Sequence, residues 1–516
     1  MRFDMRWRSS MSWVVVLTYM TLPASSQTSG QVGTATSAAR AYRSAHEADI
    51  LADYAELLKL PNFGRDLADS TRVARHIAAQ LERRGVAAEL LTLPDVPPLV
   101  YGEILVPGAT RTLGIYVHYD GQAPAGPDWV HGPYEPVLYT DRMDRGGEPR
   151  SMPAAGEPVD PSWRIYARSA SDDKAPIPAL LTALDALRAA QLPLTSNVKL
   201  LFEGEEEIGS THLQEYLETY RDRFDVDLWL FCDGPVHQSG LPQIVFGVRG
   251  VTGLDLTVFG PARPLHSGHY GNWAPVPGQM LAELIASMKD GDGNVIVEGF
   301  YDTVEPLGRE EREALLRLPD VDADLRRDLG LAWTEGDGSL GERLLLPSLT
   351  VRGLRSGDVG AAARNIIPDR AEAALGVRLV KGNDPADMLD LVEAHIRAQG
   401  FHIVRQEPDL DTRLRYPRLV MIGRDTGYSA ARTDMGLPAI EEIIGAVGAA
   451  TEQEVLLVPT LGGSLPLYLF TDLLATPAVI LPIANADNNQ HASNENIRIG
   501  NLWYGVDLYA SLLTMR

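Results

Sequence analysis

Apolar residues recur at helical spacing in two segments near the start of the chain. One apolar stripe runs over residues 50–58, and the next runs over residues 73–81 and ends at Gly85. Mainly apolar runs with strand character follow at residues 88–93, 102–106 and 113–119. The pattern therefore predicts two amphipathic helices followed by three strands.

Helices and strands alternate in the next part of the chain. A long helix is predicted after Lys174, a strand over residues 197–202, a helix through Leu213 and a strand over residues 228–232. This alternation is typical of a largely parallel sheet covered by helices, in which functional sites gather at the carboxyl ends of the strands. We therefore predict an α/β fold with a helix-covered, largely parallel mixed sheet.

The pattern changes near residue 247. Residues 251–259 and 373–380 alternate in polarity like half-exposed strands, and a helix begins at Asp384 and Pro385. Antiparallel strands with helices on one face predict a compact α+β insert over residues 247–416. Within the insert, residues 309–333 are expected to be helical.

Buried-strand character returns after the insert, near residue 478. Residues 44–246 and 417–516 are therefore expected to form one domain that the insert interrupts. Residues 141–163 are rich in Gly, Pro and charged residues without any periodicity, so they are predicted to be a surface loop.

The N-terminal residues have the pattern of a signal peptide. Arg2, Arg6 and Arg8 precede an apolar run, and small residues follow at Ala24 to Ser26. We predict a signal peptide over residues 1–26, export to the periplasm or the medium, and no stable membrane insertion after cleavage. A retained membrane anchor is the alternative. Residues 27–43 are small and polar, and they are predicted to be a flexible leader.

Charge and cysteine content exclude several functions. The formal net charge of the 516 residues is −23, which argues against nucleic acid and anionic membrane surfaces as partners. Cys232 is the only cysteine of the chain, so an intrachain disulfide and a Cys-rich zinc site are both excluded.

Carboxylates are crowded just after the strand at residues 197–202. They are Glu203, Glu205, Glu206 and Glu207. Carboxylates buried together repel one another unless cations or protons compensate, which favours a metal site. A solvated loop at the start of a helix explains the same run equally well. Imidazole and carboxylate ligands suit zinc, so further His and Asp residues at strand ends would decide between the two.

Five separated motifs supply such residues: His118-x-Asp120, Ser171-Asp172-Asp173-Lys174, Glu206-Glu207-x-Gly209-Ser210, Asp233 and His491. In order and interval they resemble the co-catalytic zinc hydrolase family of carnosine dipeptidases, glutamate carboxypeptidase, aminoacylase and succinyl-diaminopimelate desuccinylase. The resemblance implies two Zn²⁺ ions per chain, with Mn²⁺ or Co²⁺ as alternatives. It also implies that the interrupted domain is the catalytic domain.

The resemblance assigns a role to each motif residue. His118 and Asp233 would bind one zinc ion, Glu207 and His491 would bind the other, and Asp172 would bridge both. Asp120 would orient the imidazole of His118. Glu206 would act as the general base.

The insert resembles the ferredoxin-like lid and dimerisation domain of the same family. His266, in Leu265-His266-Ser267-Gly268, would reach into the site of a partner subunit in a homodimer. Asn365, Arg378 and Ser464 stand where relatives bind the substrate. These motifs are closest to the dipeptidase branch. One departure is Ala167-Arg168-Ser169, where many relatives have Gly-Arg-Gly, and the added side-chain atoms could shift Asp172.

The resemblance implies an exported dizinc hydrolase that cleaves the amide bond of dipeptides or similar small substrates with a free carboxylate. An N-acyl-amino-acid deacylase and a glutamate-carboxypeptidase-like enzyme are alternatives on the same core. A non-catalytic binding relative is the alternative from a different class.

Overall fold

The computed structural model describes residues 26–124 and 128–516. The helices are α1 (Ser26–Leu58), α2 (Leu67–Arg83), α3 (Pro176–Ala189), α4 (Leu213–Thr219), α5 (Ser267–Tyr270), α6 (Pro277–Ala286), α7 (Arg309–Leu315), α8 (Asp322–Asp328), α9 (Leu340–Arg343), α10 (Pro385–Ala398), α11 (Leu410–Arg415), α12 (Pro438–Ala450) and α13 (Ile499–Leu512). The first half of the strands comprises β1 (Ala87–Leu91), β2 (Leu99–Ile104), β3 (Thr112–His118), β4 (Val137–Tyr139), β5 (Pro149–Arg150), β6 (Arg164–Tyr166), β7 (Asn197–Glu203), β8 (Leu228–Phe231), β9 (Gln243–Val245), β10 (Gly247–Val248) and β11 (Gly250–Phe259). The remaining strands are β12 (Leu265–His266), β13 (Ser348–Arg355), β14 (Ile366–Ile367), β15 (Arg370–Leu379), β16 (His402–Val404), β17 (Leu419–Arg424), β18 (Ala431–Arg432), β19 (Leu456–Val458), β20 (Ala478–Ile480) and β21 (Asn496–Arg498).

The larger sheet is formed by strands of the predicted catalytic domain. In the described part of the chain its strand order is β1-β2-β7-β3-β8-β20-β9-β19. Strand β3 is parallel to both of its neighbours, β7 and β8, whereas β1 and β2 are antiparallel. Ile115 and Val117 enter the core on one face of the sheet and Tyr116 enters the core on the other. Both faces are therefore buried, and the prediction of a helix-covered, largely parallel mixed sheet is confirmed.

The insert forms a second sheet, with strand order β13-β15-β11-β17-β16 in the described residues. Helices α6 and α10 pack with these strands in one hydrophobic cluster. The elements β11, α6, β13, β15, α10 and β17 follow the β-α-β-β-α-β order of a ferredoxin-like unit, and the α+β prediction is confirmed.

The insert extends beyond its predicted end at residue 416. Strand β17 pairs with β11 along Leu254–Phe259, so residues 419–424 belong to the insert and not to the catalytic domain. The chain returns to the catalytic domain at β18, which pairs with β10. The prediction failed here because β17 is as apolar as the catalytic strands, and its pairing partner lies about 160 residues away in sequence.

The prediction of a flexible leader over residues 27–43 is wrong. These residues belong to α1, which has a kink at His46 and packs against α12 and α13. Ala35 and Ala39 are fully buried, because small side chains let the helices approach closely. Arg40 also forms an ion pair with Asp507 at 2.7 Å. The leader is therefore part of the folded domain.

The first 25 residues of the predicted signal peptide lie outside the described residues. No helix that the structure describes is long and apolar enough to cross a membrane.

Two other segments differ from their predictions. Within residues 141–163, β5 pairs with β4 in a small sheet that also contains β6 and β21. Residues 309–333 contain α7 and α8, so the helical prediction holds for parts of this stretch.

Candidate metal centre

The predicted ligands meet at one edge of the larger sheet. Strand β3 ends at His118, and Asp233 lies two residues beyond the end of β8. A 3₁₀ helix over Glu206–Ile208 follows β7. Because β3 lies between β7 and β8 and is parallel to both, the carboxyl ends of these strands share one edge.

Two loops complete the cluster. Asp172 lies in the turn between β6 and α3, and His491 lies in the loop before β21. The Nε2 atom of His118 is 2.9 Å from Asp172 Oδ1 and 3.6 Å from Asp233 Oδ2. The Nε2 atom of His491 is 3.1 Å from Asp172 Oδ2 and 3.1 Å from Glu207 Oε2. The structure thus brings together all five residues that the resemblance named as ligands.

The five residues form two groups that share Asp172. One group is His118, Asp172 and Asp233, the other is Asp172, Glu207 and His491, and the possible ligand atoms of each lie within 4.8 Å of one another. Each oxygen of the Asp172 carboxylate faces a different histidine. This is the arrangement that a carboxylate shared between two metal ions requires.

The charges in the cluster fit divalent cations. Burial raises the pKa of Glu206 well above its usual value and that of Asp233 to about 7, because water no longer solvates the ionised form. Asp233 Oδ2 is buried and has no hydrogen-bond partner among the described residues. A bound cation would supply the missing partner and favour the ionised carboxylates.

Lys174, the one buried lysine of the described residues, does not neutralise the cluster. Lys174 Nζ donates to the carbonyl oxygens of Leu57 and Leu60, and burial lowers its pKa to about 7. The imidazoles of the two histidines are therefore the groups that face these carboxylates. Hydrogen bonds with Asp172 and Glu207 raise the pKa of His491 to about 10.

Asp120 connects two parts of the site. One of its oxygens lies 3.3 Å from His118 Nδ1. The carboxylate also accepts hydrogen bonds from the backbone amides of Glu206 and Glu207, each at 3.1 Å. Asp120 is therefore positioned to hold the His118 ring and the 3₁₀ helix in register.

Glu495 is a structural residue of the site that the sequence did not reveal. Its buried carboxylate accepts from the backbone amides of Ser169, Ser171 and Asp172, and it pairs with Arg168 at 2.8 Å. These contacts fix the turn that carries Asp172. A lone Glu in an Asn-rich loop about 320 residues from Asp172 has no sequence pattern that predicts such a contact.

Two glutamines were also missed. Gln490 Nε2 donates to Asp172 Oδ2 at 2.8 Å, and Gln122 Nε2 donates to Glu207 Oε2 at 2.9 Å. Both orient a carboxylate of the second group. The only sequence signal for either is that Gln490 precedes His491.

The Ser169 departure from the family pattern is accommodated locally. A Cβ atom at Gly121 would lie 2.1 Å from Ser169 Oγ, so the glycine provides the space that the serine side chain occupies. Ser169 Oγ also accepts a hydrogen bond from Asn62. Asp172 remains within contact distance of both histidines.

A cleft of about 750 Å³ opens onto the cluster. Glu206 lines it and belongs to neither ligand group. Arg378 and Ser464 also line the cleft, and the Arg378 guanidinium donates to Ser464 Oγ. The guanidinium of Arg378 and the half-buried carboxyl group of Glu206 therefore lie in the same cleft as the ligands.

The other two predicted lid residues lie elsewhere. His266 and Asn365 are exposed, and neither is among the described residues that line the cleft of their own chain. His266 Nδ1 accepts from the Gly268 amide, and the Asn365 carbonyl accepts from the Ser267 amide.

Residues 114–515 match the model described as peptidase family M20/M25/M40. The chain is 23% identical to the Cys-Gly metallodipeptidase of Schizosaccharomyces pombe, covering 84% of this chain and 86% of that protein. It is 26% identical to the human Beta-Ala-His dipeptidase, covering 88% of this chain and 85% of the relative.

A solved structure agrees with these sequence matches. The M20 family metallo-carboxypeptidase of Sulfolobus solfataricus matches with a TM-score of 0.74 and 29% identity. The match covers 90% of this chain and 98% of the other.

Proposed function

This chain belongs to peptidase family M20/M25/M40 and is a metallopeptidase, and from that premise we propose that it is a dizinc dipeptidase. Its substrates would be dipeptides, or similarly small amides, with a free carboxylate. The observation that carries the proposal is the carboxylate of Asp172, which lies between two groups of metal-ligating side chains. Two zinc ions held by these groups would polarise the scissile carbonyl and lower the pKa of a bound water. Manganese and cobalt suit similar ligands.

Glu206 is the proposed general base. It lines the cleft beside both ligand groups but is not needed as a ligand in either. Burial raises its pKa, which suits a group that accepts a proton from water and returns it to the leaving amine. The presence of Glu206 and of all five ligands argues against a non-catalytic relative.

Arg378 and Ser464 are proposed to hold the substrate carboxylate. Arg378 supplies a positive charge to a cleft whose other charged groups near the cluster are mainly acidic. Its hydrogen bond to Ser464 fixes the direction of the guanidinium. A carboxylate bound there would gain charge-assisted hydrogen bonds.

We expect Arg378→Ala to weaken substrates with a free carboxylate selectively. The KM of the purified chain for Gly-Leu should rise by about 10-fold or more, because a charge-assisted contact is lost, while the rate on Gly-Leu amide changes little. Arg352→Ala is a matched control, since Arg352 is an exposed arginine of the insert that pairs with Asp425. An equal loss of activity on Gly-Leu and on Gly-Leu amide would contradict the role assigned to Arg378.

The same assay separates the alternatives. N-acetyl-leucine tests deacylase action, and a longer peptide with a free carboxyl terminus tests carboxypeptidase action. Efficient cleavage of either substrate, with no turnover of dipeptides, would overturn the dipeptidase proposal.

We propose a homodimer joined through the insert. Strand β13 is at the edge of the insert sheet, and its outward side chains include Val351 and Leu354, which are 43% and 60% exposed. Exposed apolar residues on an unpaired edge strand favour association with a second chain. His266 lies on the insert away from its own cleft, which is consistent with a role in the partner's site.

Mixing two inactive variants tests this shared site. His266→Ala should lower turnover by about 10²–10³-fold if the imidazole stabilises an oxyanion. When His266→Ala and Glu206→Gln chains are co-assembled, activity should recover to at most about a quarter of wild type, because half of the randomly formed two-fold dimers are mixed and each has one intact site. Mixed dimers without recovery, or a monomer in light scattering, would contradict the shared site.

We also propose that the chain is exported. The support is the run of Arg2, Arg6 and Arg8 before an apolar segment, which lies outside the described residues.

A further inference from the structure

Besides the metal cluster, part of the cleft is lined by residues from the stretch 315–345. This stretch belongs to the insert in sequence and contains the last residue of α7 and all of α8 and α9. Its leucine and valine side chains that line the cleft are Leu315, Leu318, Val321, Leu340, Leu344 and Leu345. Five of these side chains are half-buried, and Leu340 is 37% exposed. We refer to the six residues as the leucine wall.

The leucine wall is fixed to the catalytic domain. Glu311 of α7 forms an ion pair with Arg432 of β18 at 2.8 Å, and the two side chains are only 12% and 9% exposed. Leu318 packs against the core cluster that contains Leu456 and Val458 of β19. The wall is therefore a built surface of the cleft and not a loose loop of the insert.

The wall also adjoins the loop that carries Ser464. A Cβ atom at Gly462 would lie 3.0 Å from Leu344 Cδ2, so the Leu344 side chain packs directly on that glycine. Arg249 joins the two segments, because its backbone amide donates to Gly463 O and its guanidinium donates to Leu346 O at 2.7 Å. Leu344 of the leucine wall thus contacts a residue two positions before Ser464, the proposed carboxylate-binding serine.

We propose that the leucine wall binds the side chain of the substrate residue that carries the free carboxylate, and that this side chain is aliphatic or aromatic. The proposal rests on the dipeptidase function proposed above. A side chain and a carboxylate attached to one Cα atom lie close together, so the surface beside Arg378 and Ser464 receives that side chain. Apolar contact there removes hydrocarbon from water on both partners.

The charged groups beside the leucine wall also favour an apolar substrate side chain. Asp320 and Asp322 line the cleft, and Asp322 accepts a hydrogen bond from the Leu340 amide at 3.2 Å. Two carboxylates beside the apolar surface disfavour an acidic substrate side chain. We therefore expect leucine or phenylalanine to be accepted at this position, and glutamate to be rejected.

The test compares Gly-Leu, the nearly isosteric Gly-Asn, and Gly-Gly as substrates. In the zinc-loaded wild-type chain, kcat/KM for Gly-Leu should exceed that for Gly-Asn by at least about 10-fold. Leu344→Ser should lower kcat/KM for Gly-Leu about 10-fold more than for Gly-Gly. Leu340→Ser changes a more exposed residue of the same wall and should act in the same direction, should Leu344→Ser fold poorly. Leu316→Ser is the matched control, since Leu316 is 85% exposed and does not line the cleft.

The outcomes separate this inference from the function on which it rests. The chain could turn over dipeptides without preferring Gly-Leu, or with a preference that Leu344→Ser and Leu340→Ser leave unchanged. Either result would contradict the proposed role of the leucine wall and leave the dipeptidase function intact. If the chain instead prefers Leu-Gly to Asn-Gly and does not prefer Gly-Leu to Gly-Asn, the wall binds the amino-terminal side chain and the inference is wrong. No turnover of any dipeptide would overturn the proposed function and the inference together.

Discussion

Glu206→Gln is expected to lower dipeptide turnover by about 10²–10⁴-fold, the usual contribution of a positioned acid-base residue. Glutamine keeps the size of the side chain, but its amide does not accept a proton from water at neutral pH. Because Glu206 belongs to neither ligand group, the metal content of the variant should equal that of wild type. Steady-state kinetics together with elemental analysis of the same preparation measures both quantities.

Glu205→Gln provides the matched control for this prediction. Glu205 is the adjacent carboxylate, but it bonds to His212 and does not line the cleft. The dipeptide turnover of the Glu205→Gln variant should stay close to that of wild type. Unchanged turnover in Glu206→Gln would contradict the role of the base. Loss of metal from that variant would mean that Glu206 and Glu207 exchange their proposed roles.

Asp172→Ala is expected to lose both metal ions and, with them, all metal-dependent turnover. Asp172 is the one residue common to both ligand groups, so removing its carboxylate removes a ligand from each. The remaining carboxylates then face one another without the cations, and the stability gained from metal binding is also lost. Elemental analysis after dialysis, and thermal unfolding with and without added zinc, measure the two effects.

Asp173→Asn separates the two adjacent aspartates. Asp173 is buried, its carboxylate accepts a hydrogen bond from the backbone amide of His118 at 3.3 Å, and it is in neither ligand group. Asparagine retains an acceptor oxygen there, so metal content should be largely unchanged. If Asp173→Asn loses metal and Asp172→Ala keeps it, the bridging ligand is Asp173 and not Asp172.

The strand-end ligands could be predicted because their positions follow from the fold. A residue that ends a buried strand, such as His118, must lie at the sheet edge where the neighbouring parallel strands also end. His491 could be placed only through the resemblance to a family, because its loop has no periodicity. Its contact with Asp172 joins residues about 320 positions apart.

The missed features depend on long-range packing that no local pattern records. Glu495 holds the Asp172 turn from a distant loop, and β17 joins the insert by pairing with β11. The segment predicted to be a flexible leader is helical because α1, with its buried Ala35 and Ala39, packs on helices near the end of the chain. The leucine wall likewise requires α7 to dock on β19, which belongs to the other domain.

The proposed dipeptidase function depends most on two metal ions that would share Asp172. The most direct measurement is a titration of the metal-free chain with zinc, following Gly-Leu hydrolysis and bound metal together, with Asp172→Ala titrated in parallel. We predict no turnover without metal, a rise that is complete at about two zinc ions per chain, and neither binding nor turnover in Asp172→Ala. Turnover by the metal-free chain, or full activity of Asp172→Ala, would contradict the account.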